Sequence, residues 1–132
     1  PESVWDAINY LPISRIGHGV NSIKDNELMN ELVQRNIHLE ICPGSNLSLS
    51  IFPDWNSHPL PPIMNKGVSI SLNSDDPPFF NTTVGQEYYD SAKHFNLDID
   101  ELKRISVMAM EASFANSKIK SRLIEEIQKF QN

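Results

Sequence analysis

Asp75 and Asp76 stand side by side in "SLNSDDPPFF", residues 71–80, where an alternating apolar segment stops at two prolines. Adjacent carboxylates repel unless a cation, a polar ligand or solvent relieves them. Two other polar clusters have similar surroundings, Gly17-His18-Gly19 in "SRIGHGV" and Cys42-Pro43-Gly44-Ser45-Asn46 in "LEICPGSN". Gly or Pro flanks each cluster and imposes an unusual backbone path. A carboxylate and an imidazole at neighbouring strand ends can share a divalent metal or position its bound water. A cation at Asp75 would also remove the repulsion, leaving Asp76 free to bind a polar ring atom.

Each cluster has a plain structural reading beside the chemical one. Asp75-Asp76-Pro77 reads equally as a turn with a helix cap, and Cys42 as a small buried hydrophobe. His38, on a strand start, and His58 and His94, in polar surroundings, read as surface or half-buried residues. Met108 and Met110 read as core filler, and Glu125-Glu126 as a solvated helix face.

These clusters need elements to hold them. The chain opens with Pro1, suited to a first helical turn, and Trp5, Ile8 and Leu11 give that stretch a rough apolar side. Residues 25–36 carry Leu28, Met29, Leu32 and Val33 on one helical stripe, with Asp25 available as a cap. Ile37, Leu39 and Ile41 alternate as in a strand ended by Pro43 and Gly44, and Val68, Ile70 and Leu72 form the next. Four prolines make 51–65 irregular or short-turned. Residues 84–95, 98–114 and 117–130 read as helices, the last behind Ser117 as its cap.

Successive strands begin about two to three dozen residues apart, the length of a crossover βα unit, which implies parallel pairing. A closed barrel of eight such units takes about 250 residues. The 132 residues therefore make either a small open α/β sheet or about three-eighths of a barrel. In both cases the polar clusters fall at the carboxyl ends of the strands, where parallel folds keep their active sites.

Composition narrows the partners. Eleven Lys and Arg against 17 Asp and Glu give a formal charge of -6, with no basic cluster, which makes a poor nucleic-acid binder by electrostatics, so no nucleic-acid partner is expected. The single cysteine excludes an internal disulfide and any Cys-rich zinc site. No apolar run nears the roughly 20 residues that span a bilayer, and no signal-like start is seen, so no membrane partner and a cytoplasmic location are expected.

In this order and spacing, "RIGHGV", "LEICPGSN" and "SLNSDDPPFF" resemble the last three strand motifs of the adenosine deaminase family, which includes adenine deaminases. "PESVWDAI" resembles the segment that follows the family's His-Ala-Gly-Glu motif. The likeness covers nearly the whole chain and implies a single partial domain over 1–132, the C-terminal part of a (β/α)₈ barrel holding one zinc ion. By resemblance Asp75 is the zinc ligand and a proton acceptor, Asp76 hydrogen-bonds the purine, and His18 sits beside the metal and orients the attacking hydroxide. The implied reaction is hydrolytic deamination of a purine nucleoside or base, adenosine before adenine.

The sequence also departs from the family. The first-strand His-x-His pair, the third histidine ligand and the ring-protonating glutamate have no counterpart here, and His38, His58 and His94 match no motif that could replace them. One carboxylate ligand holds zinc weakly, because catalytic sites usually use three protein ligands. The chain alone is therefore expected to be inactive. An interrupted barrel leaves strand edges and an apolar sheet face uncovered, so self-association, for instance as a dimer, is a further expectation. The rival to the enzyme reading is a non-catalytic α/β module in which the Asp-Asp pair is a cap.

Overall fold

A computed structural model describes residues 1–130; the last two positions of the expected domain, 131 and 132, lie outside the described residues. Helix α1 (Glu2–Tyr10) leads into strand β1 (Arg15–Gly17), and a 3₁₀ turn at Val20–Lys24 runs into helix α2 (Asn26–Gln34). Strand β2 (His38–Ile41) is followed by helix α3 (Pro43–Ser48), a 3₁₀ turn at Trp55–Ser57 and helix α4 (Leu60–Asn65). Strand β3 (Ile70–Leu72) then gives way to helices α5 (Pro77–Phe80), α6 (Val84–Phe95), α7 (Ile99–Ala112) and α8 (Ser117–Lys129).

The strands form one parallel sheet in the order β1-β2-β3, as the spacing predicts. Ile16 pairs with Leu39 and Leu39 with Ile70, so one face of the sheet is a continuous apolar row with Ile41 and Leu72. That row packs against Leu28, Met29 and Leu32 of α2, Leu60 and Ile63 of α4, and Ile105 of α7 in the buried core. Fully burying each such side chain contributes about 1.5–3 kcal/mol. Two glycine-free caps fix the flanking helices. Asp25 accepts from the N–H groups of Glu27 and Leu28, as expected, and also from the Trp5 indole at 2.8 Å, which ties α1 to α2. The α8 cap is Asn116 rather than Ser117: its side chain accepts from Ile119 N, and Ser117 is the first helical residue.

The opposite face departs from expectation. The alternate positions Arg15, His38, Glu40, Ser71 and Asn73 make it polar rather than apolar, and their side chains bond one another. Arg15 pairs with Glu40, the two ring nitrogens of His38 meet Ser69 and Ser71 at 2.8 and 2.9 Å, and Asn73 donates to Ser71. A polar surface of this kind gains nothing by hydrophobic pairing, which removes the apolar face as a reason for self-association. Large apolar side chains that do meet solvent, such as Tyr10, Phe79 and Phe114, lie on helices and loops.

The structure differs from the sequence pattern at two further positions. Pro43 starts a helix instead of only ending a strand, since its missing N–H costs nothing in a first turn. Val33, expected on the buried stripe, is 41% exposed, because α2 turns only Leu28, Met29 and Leu32 fully inward. Among the described residues no helix is long and apolar enough to cross a membrane.

Candidate functional site

The strand ends are locked in step. His18 N donates to Glu40 O and Asn73 N donates to Ile41 O, both at 2.9 Å, extending the ladder one residue past β1 and β3. Directly beyond, the backbone leaves regular structure. His18 and Asp75 take left-handed φ values of 59° and 57°, uncommon for residues with a Cβ and costing about 1–2 kcal/mol each. Gly19 follows with φ 70°, and a Cβ there would meet Leu39 Cδ2 at 2.8 Å, so the turn that aims His18 requires glycine.

These turns bring separate strands together. His18 Nε2 lies 3.7 Å from Asp75 Oδ2, and the Ser45 hydroxyl donates to that same oxygen at 2.7 Å. Cys42 completes a group of three whose possible ligand atoms lie within 4.8 Å of one another. Among the described residues no other such group of three or more His, Cys, Asp or Glu is found.

Donor chemistry decides what this group could hold. An imidazole nitrogen and a carboxylate oxygen are ordinary zinc ligands. His18 Nδ1 is buried with no hydrogen-bond partner, the kind of orphaned polar atom that native proteins rarely keep without a further neighbour. The Cys42 thiol fits less well. Burial, then the charges of Asp75 and Glu87, push its pKa up to about 12, and its S–H points to Glu40 O at 3.6 Å. It remains the small buried residue the sequence suggests. His18 and Asp75 together fit one side of a zinc site.

Asp76 faces elsewhere. It caps α5, accepting from Phe79 N at 3.3 Å through Oδ1, and leaves Oδ2 for another partner. The other histidines differ from their surface reading in two of three cases. His38 and His58 are 2% and 3% exposed, and each is hydrogen-bonded within the protein. Desolvation lowers both to a pKa of about 4, with the Arg15 charge adding to the effect at His38. His94 is exposed and stacks on Trp55 with ring centroids 4.6 Å apart.

Glu87 was missed entirely. It is 2% exposed, accepts from Gly44 N at 2.9 Å and from the Thr82 hydroxyl at 2.8 Å, and so ties α6 to α3, the helix that carries Ser45. A Cβ on Gly44 would lie 2.4 Å from Glu87 Oε1. The only sequence signal was a glycine directly after Pro43, which leaves room for a close approach. Urea unfolding should therefore show Glu87→Ala losing about 1–3 kcal/mol through the loss of both hydrogen bonds to this buried carboxylate. Gly44→Ala should cost a similar amount alone and clearly less in the Glu87→Ala background, where the clash is gone. Strictly additive losses would refute this contact.

The comparisons with known proteins agree on the family. Residues 1–130 match the family described as Adenosine deaminase. The adenine deaminase of Agrobacterium fabrum (strain C58) is 42% identical over 127 residues, covering 96% of this chain and 39% of that protein. That of Sinorhizobium medicae (strain WSM419) is 43% identical over 122 residues, with 92% and 38% covered. The chain thus spans about 39% of the length of such relatives. Among solved structures, an adenine deaminase from Arthrobacter aurescens superposes with a TM-score of 0.94 at 27% identity, over 97% of this chain and 39% of that one. A zinc-bound amidohydrolase from Burkholderia ambifaria shares the fold, with a TM-score of 0.86 at 22% identity over 96% of this chain and 36% of that one.

Proposed function

The chain belongs to the adenosine deaminase family, and on that premise we propose that it forms the C-terminal three βα units of a (β/α)₈ barrel whose zinc centre deaminates a purine by hydrolysis. The observation that carries this reading is the convergence of His18 and Asp75, from two non-adjacent strand ends, to 3.7 Å. Asp75 would hold the metal from this side, with His18 beside it. When bound, zinc would supply the lowered pKa of its water, from about 15.7 toward 7.

The chain's own residues do the rest. Ser45 holds Asp75 Oδ2 toward the imidazole, so the carboxylate is preset to take a proton from the attacking water. His18 orients that water. The free oxygen of Asp76 hydrogen-bonds the purine ring, while its other oxygen keeps α5 in place. Water and adenine become hypoxanthine and ammonia. Adenine is proposed ahead of adenosine, reversing the order expected from the motifs, because the relatives at 42% and 43% identity are adenine deaminases. The rival module reading retains one observation, that Asp76 is a working helix cap.

A chimera tests the proposal: this chain in place of the matching 127 residues of the Agrobacterium fabrum enzyme. It should carry close to one zinc per molecule and release ammonia from adenine, whereas the chain alone should do neither. A cooperatively folded chimera without zinc or turnover would overturn the reading.

A further inference from the structure

We propose that Asn46 is a ligand-binding residue, its side-chain amide locked by His58 so that both N–H donors face an uncharged acceptor on the bound purine. The inference rests on the purine reading above and assigns a contact that the three strand motifs leave open.

The orientation of this amide follows from an ordered set of hydrogen bonds. Leu60 N donates to His58 Nδ1 at 3.2 Å, and a backbone N–H can only donate, so Nδ1 accepts and the ring proton sits on Nε2. That nitrogen lies 3.0 Å from Asn46 Oδ1 and donates to it. Phe52 and Phe95 stand against the His58 ring at centroid distances of 5.1 and 5.6 Å and keep it from turning. The oxygen of Asn46 is thereby fixed inward, and its NH₂ faces away from His58. A freely chosen flip would not be informative, but here the backbone donor at Leu60 decides it.

The NH₂ group is then left over. Asn46 is 3% exposed, and among the described residues its side chain makes no other hydrogen bond. Nor is the nitrogen sealed in protein, for the enclosed unpartnered atoms belong to His18, Ser22 and Ser91. Asn46 lines a cleft with His18, Val4, Val20, Leu49 and Ile51, and with the polar residues Ser3 and Asn21. His18 also lines the cleft that holds Asp75, so the cleft of Asn46 borders the proposed centre. Buried donors are seldom left unmatched, and a lining of apolar side chains with a few polar groups, the fixed amide among them, suits a flat, neutral heterocycle. The acceptor is a ring nitrogen of the base or an oxygen of an attached sugar.

The test uses the chimera, with hypoxanthine as the binding probe and adenine and adenosine as substrates. Asn46→Ala should weaken hypoxanthine binding and raise KM about tenfold, with kcat changed far less and the melting temperature lowered only by the lost acceptor of His58. Should Asn46→Ala fail to fold, the isosteric Asn46→Asp, which replaces the donors by acceptors, should show a larger loss. His58→Gln, which keeps a donor for Oδ1, should retain most of the affinity, whereas His58→Leu should lose part of it. Equal losses for adenine and adenosine assign the acceptor to the base, and a loss confined to adenosine assigns it to the sugar. A folded variant at Asn46 that matches its parent on hypoxanthine, adenine and adenosine alike, or loses only thermal stability, overturns the inference and leaves the deaminase reading intact. A parent chimera that binds no purine overturns both.

Discussion

Asp75→Asn in the chimera should lose its zinc and at least about 10²- to 10⁴-fold in kcat/KM while remaining folded. Asparagine matches aspartate in shape, accepts the Ser45 hydroxyl bond through its carbonyl, and tolerates the φ of 57° at this position. What it removes is the negative charge. A metal site deprived of its anionic ligand loses the Coulombic attraction that offsets desolvation of the ion. Asp75→Ala should be equally inactive but also less stable, because alanine fits the left-handed conformation poorly. The pair therefore separates chemistry from folding. Zinc counted by mass spectrometry and unchanged after either substitution would return Asp75 to the role of a turn residue.

Ser45→Ala belongs to the same logic at smaller scale, since it frees the Oδ2 atom that faces His18 without touching the charge. Its contrast with Asp75→Asn asks whether the carboxylate must be aimed or merely present. Positioning groups around a metal ligand commonly carry about 10- to 100-fold in affinity or activity.

What the sequence disclosed, and what it hid, follows from range. The period-two alternation of Leu39 and Ile41, and of Ile70 and Leu72, is a local signal and named both later strands. Parallel pairing followed from spacing alone. The convergence of His18 with Asp75 was legible because parallel strands put their ends on one side of a sheet, whatever the side chains are. Burial of His38 and His58 was not legible, because the partners that satisfy them, Ser69, Ser71 and Asn46, lie 12 to 33 residues away. Polarity argues for the surface until such partners are known. Glu87 was hidden for the same reason: its contact with Gly44 crosses 43 residues. The polar sheet face was visible in principle, as Arg15, His38, Glu40, Ser71 and Asn73 occupy the alternate positions of strands whose apolar half had already been read.

The two buried histidines carry the second large effect, a loss of stability on acidification. Each has its pKa lowered from 6.5 to about 4 in the folded chain. The unfolded chain therefore binds more protons between those limits. Stability is full above pH 6.5 and falls as the pH drops toward 4. The slope approaches 1.36 kcal/mol per pH unit for each histidine, so the pair removes up to about 6 kcal/mol across the window. That is comparable to the whole stability of many domains. The two should not contribute alike. Both Ser partners of His38 are hydroxyls, which can turn to accept from a doubly protonated ring, so only desolvation and the Arg15 charge resist its protonation. His58 faces the Leu60 N–H, which cannot reverse, and protonation would set two donors against each other. Unfolding free energies from urea titrations at pH 7, 6, 5 and 4 should thus fall steeply, and His58→Gln should flatten the curve more than His38→Gln. A profile level from pH 7 to 4 would mean that neither ring is held neutral by the fold, and the hydrogen bond that orients Asn46 would lose its basis.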